Sequence, residues 1–195
     1  MVEKSFFEKN KTLILVGAVI LLLVLWTIGI YNSFISLDQG VKSAWSITEN
    51  EYQRQADLIP NLAATLKNYQ QFEAGTLTQI TELRSRWQGA TTEAEKDQIG
   101  VEMSGSLGRL IATFEAYPDL KSITAVKGLM DELAGAQNRI TVARQRYIET
   151  IQAYNKGIMY FPNSIFAGMF GYQQREYYQA APGSLITPNV SGLLG

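Results

Sequence analysis

From Thr12 to Ile30 the chain reads TLILVGAVILLLVLWTIGI, nineteen residues without a charge. As a helix this run rises roughly 28 Å, close to the ~30 Å hydrocarbon thickness of a bilayer. It carries no polar stripe of the kind that lets a helix lie half-buried on a water-soluble core. The run therefore predicts a membrane-spanning helix over residues 12–31, preceded by a short segment, 1–11. Trp26 and Tyr31 sit near one end, where amphipathic rings favour the interface. A secretory signal peptide is the competing reading, but signal peptides have a shorter apolar run and a small-x-small cleavage site, and Gly29-Ile30-Tyr31 is a poor one. Lys4, Lys9 and Lys11 precede the run, whereas Lys42 alone lies within about 15 residues after it. That bias orients the N-terminus inside and the body outside.

The remainder is long enough to bury one hydrophobic core and too short for two comfortable domains. Its charges are balanced, with 17 basic and 18 acidic residues and a formal net charge of -1 over the chain. No nucleic-acid partner is expected from such a surface. Cysteine and histidine are both absent. Their absence removes disulfides, thiol nucleophiles, the common zinc sites, Ser-His and Cys-His pairs, and imidazole acid/base chemistry. No metal, cofactor or catalytic residue is assigned.

Beyond the run, apolar or small residues recur at spacings of three and four: Phe34, Leu37, Val41, Ala44 with Trp45, Thr48, Tyr52, Gln55 with Ala56, Ile59, Leu62, Leu66 and Tyr69. The stripe keeps phase through Pro60, which favours one kinked helix; a hairpin with Pro60 opening a second helix is the alternative. Helix is expected again from Thr76 to about Trp87. Thr92 and Glu95 form a capping-box start for a helix carrying Ile99, Met103, Leu107, Leu110, Ile111 and Phe114, ended by Tyr117-Pro118. A last long helix is expected from near Ser122 to about Tyr160, with Val126, Leu129, Leu133, Ala136, Ile140, Ala143, Tyr147, Ile151, Tyr154 and Ile158 inward. Gly40 with Ala44, and Gly105 with Gly108, are either points of close helix approach or tolerated exposed glycines. With no convincing strand, the fold is all-α: a transmembrane helix followed by an antiparallel up-and-down bundle of long helices.

Two polar groups lie close to the apolar stripes: Arg54, Asp57 and Asn61 around the proline, and Asn138, Arg139, Arg144 and Arg146 in the last helix. Such groups are expected to form interhelical ion pairs and hydrogen bonds; an anion-binding site is the sharper alternative. The segment YFPNSIFAGMFGY, residues 160–172, groups Ile165, Phe166, Met169, Phe170 and Tyr172 beyond the last helix. It is expected either to fold back over the bundle end or to meet a membrane interface or a partner. Residues 173–195 lack helical periodicity and read as an extended tail.

Several stretches together resemble the LemA family of bacterial membrane proteins. They are Tyr31-Asn32, Val41-Lys42-Ser43-Ala44-Trp45, RQADLIPN from Arg54 to Asn61, Ala116 to Lys121 reading AYPDLK, Asn138-Arg139-Ile140, Ala143 to Tyr147 reading ARQRY, Tyr154-Asn155, Phe161-Pro162-Asn163, and Ala167 to Gly171 reading AGMFG. The resemblance covers about residues 10–172. It implies a single-pass protein of the bacterial cytoplasmic membrane whose residues 32–172 form a LemA-like helical bundle. It implies no established enzymatic activity or cofactor.

The function expected is a membrane-anchored scaffold or protein-interaction module of the cell envelope. It would contact lipid through the anchor, self-associate as a homo-oligomer, dock other envelope proteins, and have no catalytic activity. A lipid-binding or membrane-remodelling protein using residues 160–172 is the alternative. A carboxylate-dependent enzyme using Asp57 and Asp119 with the arginines is a second.

Overall fold

A computed structural model describes residues 10–67, 74–115 and 123–176, which hold five helices and no strand. These are α1 (Lys11–Leu66), α2 (Ala74–Gly89), α3 (Glu93–Glu115), α4 (Thr124–Met159) and α5 (Asn163–Phe170). The chain belongs to the all-α class expected of it. Tyr69, the Ala116–Lys121 motif with Asp119, and most of the tail lie outside the described residues.

The apolar run and the stripe that follows belong to one continuous helix, α1, so the single-helix reading at Pro60 holds and the hairpin does not. The ring at Pro60 removes the N–H that would bond to the carbonyl of Ala56, four residues back. That carbonyl is not left bare, because Arg84 Nε on α2 donates to it at 3.0 Å. The defect in one helix is thus filled by the next, which explains how a proline survives in a helix interior without a break.

Two compact units are distinguishable. One is built from the described residues of Ser43–Glu149 and is a four-helix arrangement of the second part of α1, α2, α3 and the first part of α4. Its core runs from Tyr52, Ile59 and Leu62 through Ile80, Trp87, Met103, Leu107 and Phe114 to Val126, Leu133 and Ile140. Contacts set its topology. Trp45 meets Tyr147 and Arg139 meets Glu51, so α1 and α4 run in opposite directions. Arg84 on Ala56 and Trp87 near Tyr52 make α2 antiparallel to α1, while Tyr52 with Asp97 and Gln55 with Ser104 make α3 parallel to it. This is the up-and-down order. The other unit joins the described residues up to Lys42 with Thr150–Arg175. Here α1 carries the exposed apolar run, followed by buried Ile30, Phe34 and Val41, and α4 and α5 supply buried Ile151, Tyr154, Ile158 and Ala167.

The capping box at α3 forms. Glu95 N–H donates to Thr92 Oγ1 at 3.2 Å, and the Glu95 carboxylate accepts from the N–H of Thr91 rather than that of Thr92. Leu129, expected inward, packs against the core but is only half-buried, and Met130 beside it is fully buried. Of the two readings left open for the glycines, tolerance rather than close approach holds at Gly40 and Gly105. A Cβ at Gly40 or Gly105 would meet nothing within 4 Å, and one at Gly108 would lie 3.4 Å from the Gln137 amide. The tight positions are Gly157, where a Cβ would meet the flexible tip of Leu37, and Gly100, where it would come within 2.6 Å of the Tyr52 ring. Tyr52 is large, buried and rigid, so α3 must present a bare backbone to it.

Candidate functional site

In the four-helix unit the polar groups gather around one carboxylate, Asp97, which is 2% exposed on α3. Arg144 of α4 grips it with two bonds, Nε to Oδ1 and Nη2 to Oδ2, each 2.9 Å. Tyr52 of α1 donates its hydroxyl to Oδ1 at 3.1 Å. Three helices therefore meet on a single buried acid, with both of its oxygens engaged. A bidentate guanidinium supplies directional bonds as well as charge, which is the condition under which a buried ion pair repays its desolvation. Burial pushes the Tyr52 hydroxyl pKa far up, and the neighbouring Asp97 charge adds to the shift, so the phenol stays neutral. Burial alone would lower the pKa of Arg144, but its hydrogen bond to Asp97 and the surrounding charges reverse that and raise it.

Further bonds border this centre. Tyr147 donates to Glu93 at 3.3 Å, Lys96 pairs with Glu49, and the Lys96 ammonium stands 5.3 Å from the centre of the Trp87 ring. Gln55 accepts from Ser104 at 2.9 Å, and Gln137 donates to the Ser104 carbonyl. A buried carboxylate with both oxygens bonded to other helices fixes helix register.

Of the polar residues singled out in the sequence, Arg144 enters this centre. Arg139 reaches across to Glu51 at 2.9 Å from a half-open position. Asp57 is exposed and accepts only from Gln53 of its own helix, at 2.7 Å. Arg54, Asn61, Asn138 and Arg146 are exposed. The two anticipated groups are therefore not one cluster, and Asp97 was missed. A signal for it existed: the α3 stripe Phe114, Leu110, Leu107, Met103 and Gly100, extended backwards by three, falls on position 97. A charge in phase with a core stripe demands a buried partner.

The aromatic segment belongs to the other unit. Pro162 precedes α5, and Gly171, with φ of 77°, ends it in the left-handed conformation that glycine tolerates. The turn lets Tyr172 N–H donate to the Ala167 carbonyl at 3.0 Å. Three ring pairs then line up along α1: Phe166 with Trp26 at 5.7 Å, Phe170 with Tyr31 at 5.0 Å, and Tyr172 with Phe34 at 5.2 Å. Edge-on and tilted geometries of this kind stabilise beyond the area they bury. Ile165 and Met169 point away from α1 and remain open.

Just beyond, Asn155 clasps the backbone of Arg175 on both sides, donating to its carbonyl at 2.8 Å and accepting from its N–H at 2.9 Å. The Arg175 guanidinium reaches Asp38 at 2.7 Å, and Lys42 meets the same carboxylate at 2.8 Å. Burial pushes the Asp38 pKa up, but the hydrogen bonds and charges of Lys42 and Arg175 outweigh it and hold it below the usual carboxylate value. Gln173, whose carbonyl accepts from the Tyr154 hydroxyl at 2.9 Å, and Arg175 are thus held against α4, whereas residues from 177 lie outside the described part.

The LemA family model matches residues 44–191. Magnetosome protein MamQ 2 of Paramagnetospirillum magneticum is 25% identical over 189 residues, and Magnetosome protein MamQ of Magnetospirillum gryphiswaldense 24%, each alignment covering 82% of this chain and 70% of the relative. Protein LemA of Metamycoplasma hominis is 22% identical over 201 residues, covering 98% of this chain and 86% of its own length.

Proposed function

Because the chain belongs to the LemA family, we propose that it is a membrane-anchored helical scaffold of the bacterial cell envelope, working through protein contacts and without catalytic activity. Family membership and a candidate spanning helix fit a membrane-anchored helical protein. The observation that carries the reading is the continuity of α1. Its apolar run has no buried residue before Ile30, unlike the core helix of a water-soluble protein, and passes there without a break into the buried positions Ile30 and Phe34. Cleavage of the run as a signal peptide would cut a helix inside a packed unit and strip Trp26 from Phe166.

Absence of catalysis is supported by the residue repertoire and by Asp97, which is buried as the structural partner of Tyr52 and Arg144. Self-association and docking of other envelope proteins are supported by confinement. A tether holds identical bodies at high effective concentration in two dimensions, so weak interfaces become occupied. The lysines before the run support a body outside the cytoplasmic membrane.

Alkaline carbonate extraction of membranes tests the anchor. The full chain is expected in the pellet with an intact mass that includes residues 12–30, and release into the supernatant or a chain starting after residue 30 overturns it. Light scattering of the detergent-solubilised protein tests self-association, which a monomer at every concentration refutes. Protease added to spheroplasts tests orientation; protection of the body until detergent is added reverses it.

A further inference from the structure

We infer that α5 is an interfacial membrane helix whose outer ridge, Ile165 and Met169, seats in the lipid at the end of the spanning run together with Phe161 of the turn before it. The inference rests on the reading of α1 as a span. Two apolar ridges run along this segment at spacings of four. The inner one, Phe166 and Phe170, is taken up by Trp26 and Tyr31. The outer one, Ile165 and Met169, is uncovered among the described residues at 56% and 73% exposed, and Phe161, in the turn before α5, is 83% exposed. A short helix at a water-exposed surface would turn polar groups outward; this one turns out Ile165 and Met169.

The occupant follows from where α5 is packed. Trp26 lies four residues before the end of the apolar run, about 6 Å along the axis from Ile30. Phe166 is in ring contact with it. If the run crosses a bilayer, α5 lies beside its last turn, at the boundary between acyl chains and headgroups, and a ridge facing away from α1 faces lipid. Charge obeys the same layering. Between Lys156 and Arg175 the chain has no charged residue, and none falls between Thr12 and Leu37. The unit's ion pairs, Asp38 with Lys42 and with Arg175, begin about 18 Å along α1 from Trp26. Apolar run, aromatic ring pairs and ion pairs therefore succeed one another along the axis in the order of a membrane's own hydrocarbon, interface and water.

The chain has no cysteine, so single replacements carry a spin label without background. Full-length Ile165→Cys, Met169→Cys and Phe161→Cys are labelled and reconstituted in phosphatidylcholine vesicles, with Leu22→Cys as the span reference and Val142→Cys, exposed in the four-helix unit, as the water reference. Collision with oxygen, which concentrates in lipid, is compared with collision with a water-soluble nickel chelate. At 161, 165 and 169 the oxygen-to-nickel ratio is expected to rise several-fold above that at 142 and to approach that at 22. A ratio equal to that at 142 overturns the inference while leaving the span intact, provided 22 reads as lipid. Low collision with both reagents also overturns it, since that marks burial by a second copy. A water-like signal at 22 itself removes the span and the scaffold reading with it.

Discussion

The two units solve the placement of polar and apolar groups in opposite ways. In the four-helix unit a charge is taken inside and fully bonded: Asp97 has Tyr52 and Arg144 around it. In the unit of α5 large apolar groups are left outside, and the charges, Asp38, Lys42 and Arg175, are drawn to one level. The first arrangement is closed within one chain, because the buried charge has its partners on two other helices. The second is half of something, because an apolar ridge gains nothing until another medium covers it. Stability should therefore be concentrated around Asp97, and contact with the surroundings around α5.

The largest effect expected comes from breaking the closed centre. Asp97→Ala strands the Arg144 guanidinium and should cost about 3–5 kcal/mol by denaturant unfolding of the detergent-solubilised protein. Phe161→Ser, on the open ridge, should leave the same unfolding curve within about 0.5 kcal/mol. Equal costs would erase the contrast between the units. Next comes Gly100→Ala, whose new methyl must displace the Tyr52 ring, at about 1–3 kcal/mol. Gly105→Ala, with open space around it, should instead stabilise α3 by about 0.5–1 kcal/mol.

Arg84→Ala should cost about 1–2 kcal/mol by uncovering the Ala56 carbonyl. In a Pro60→Ala background the restored N–H can fill that acceptor, so the penalty should fall by half or more. An unchanged penalty would mean Arg84 contributes only packing.

Acid and alkali should attack different units. The Asp38 pKa is depressed in the folded state, so its contribution is present above about pH 4 and is lost as pH falls through the folded value. The Tyr52 pKa is raised, so its contribution is present below about pH 10 and declines as pH rises above it, where the unfolded phenol ionises and the folded one does not. Hydrogen exchange across pH should show amides near Asp38 opening first in acid and those near Tyr52 first in base, and Tyr52→Phe should blunt the alkaline loss. The smallest effect is expected at Asp57→Ala, an exposed acid bonded within its own helix, at under about 0.5 kcal/mol by thermal unfolding.

Helix content and the capping box at Thr92 were legible in the sequence because each depends on residues within a turn or two of one another, and the passage of α1 through Pro60 was legible from the unbroken phase of its stripe, though not the Arg84 bond that supports it. The core stripes were largely legible, although Leu37, Ala44, Ile111 and Leu129 are only half-buried, and period alone separates Leu129 poorly from its buried neighbour Met130. The polar centre was not. Arginines at 54, 139, 144 and 146 look alike in sequence, and only the arrival of Asp97 from another helix singles out Arg144. For the same reason Gly100 differs from Gly105 through the bulk of Tyr52, which lies in a distant part of the chain. The aromatic segment was recognised as apolar, but which of its rings were occupied and which stayed open depended on its pairing with Trp26, Tyr31 and Phe34.

The bond from Arg84 to Ala56 also bears on how the molecule breathes. Around Pro60, α1 by itself is one backbone bond short, so this turn is a weak point that only the docked α2 reinforces. The two segments should therefore open as one cooperative block, with amides after Pro60 and amides near Arg84 sharing a single opening free energy. A residue that seems to interrupt a helix thereby ties the fluctuations of that helix to those of its neighbour.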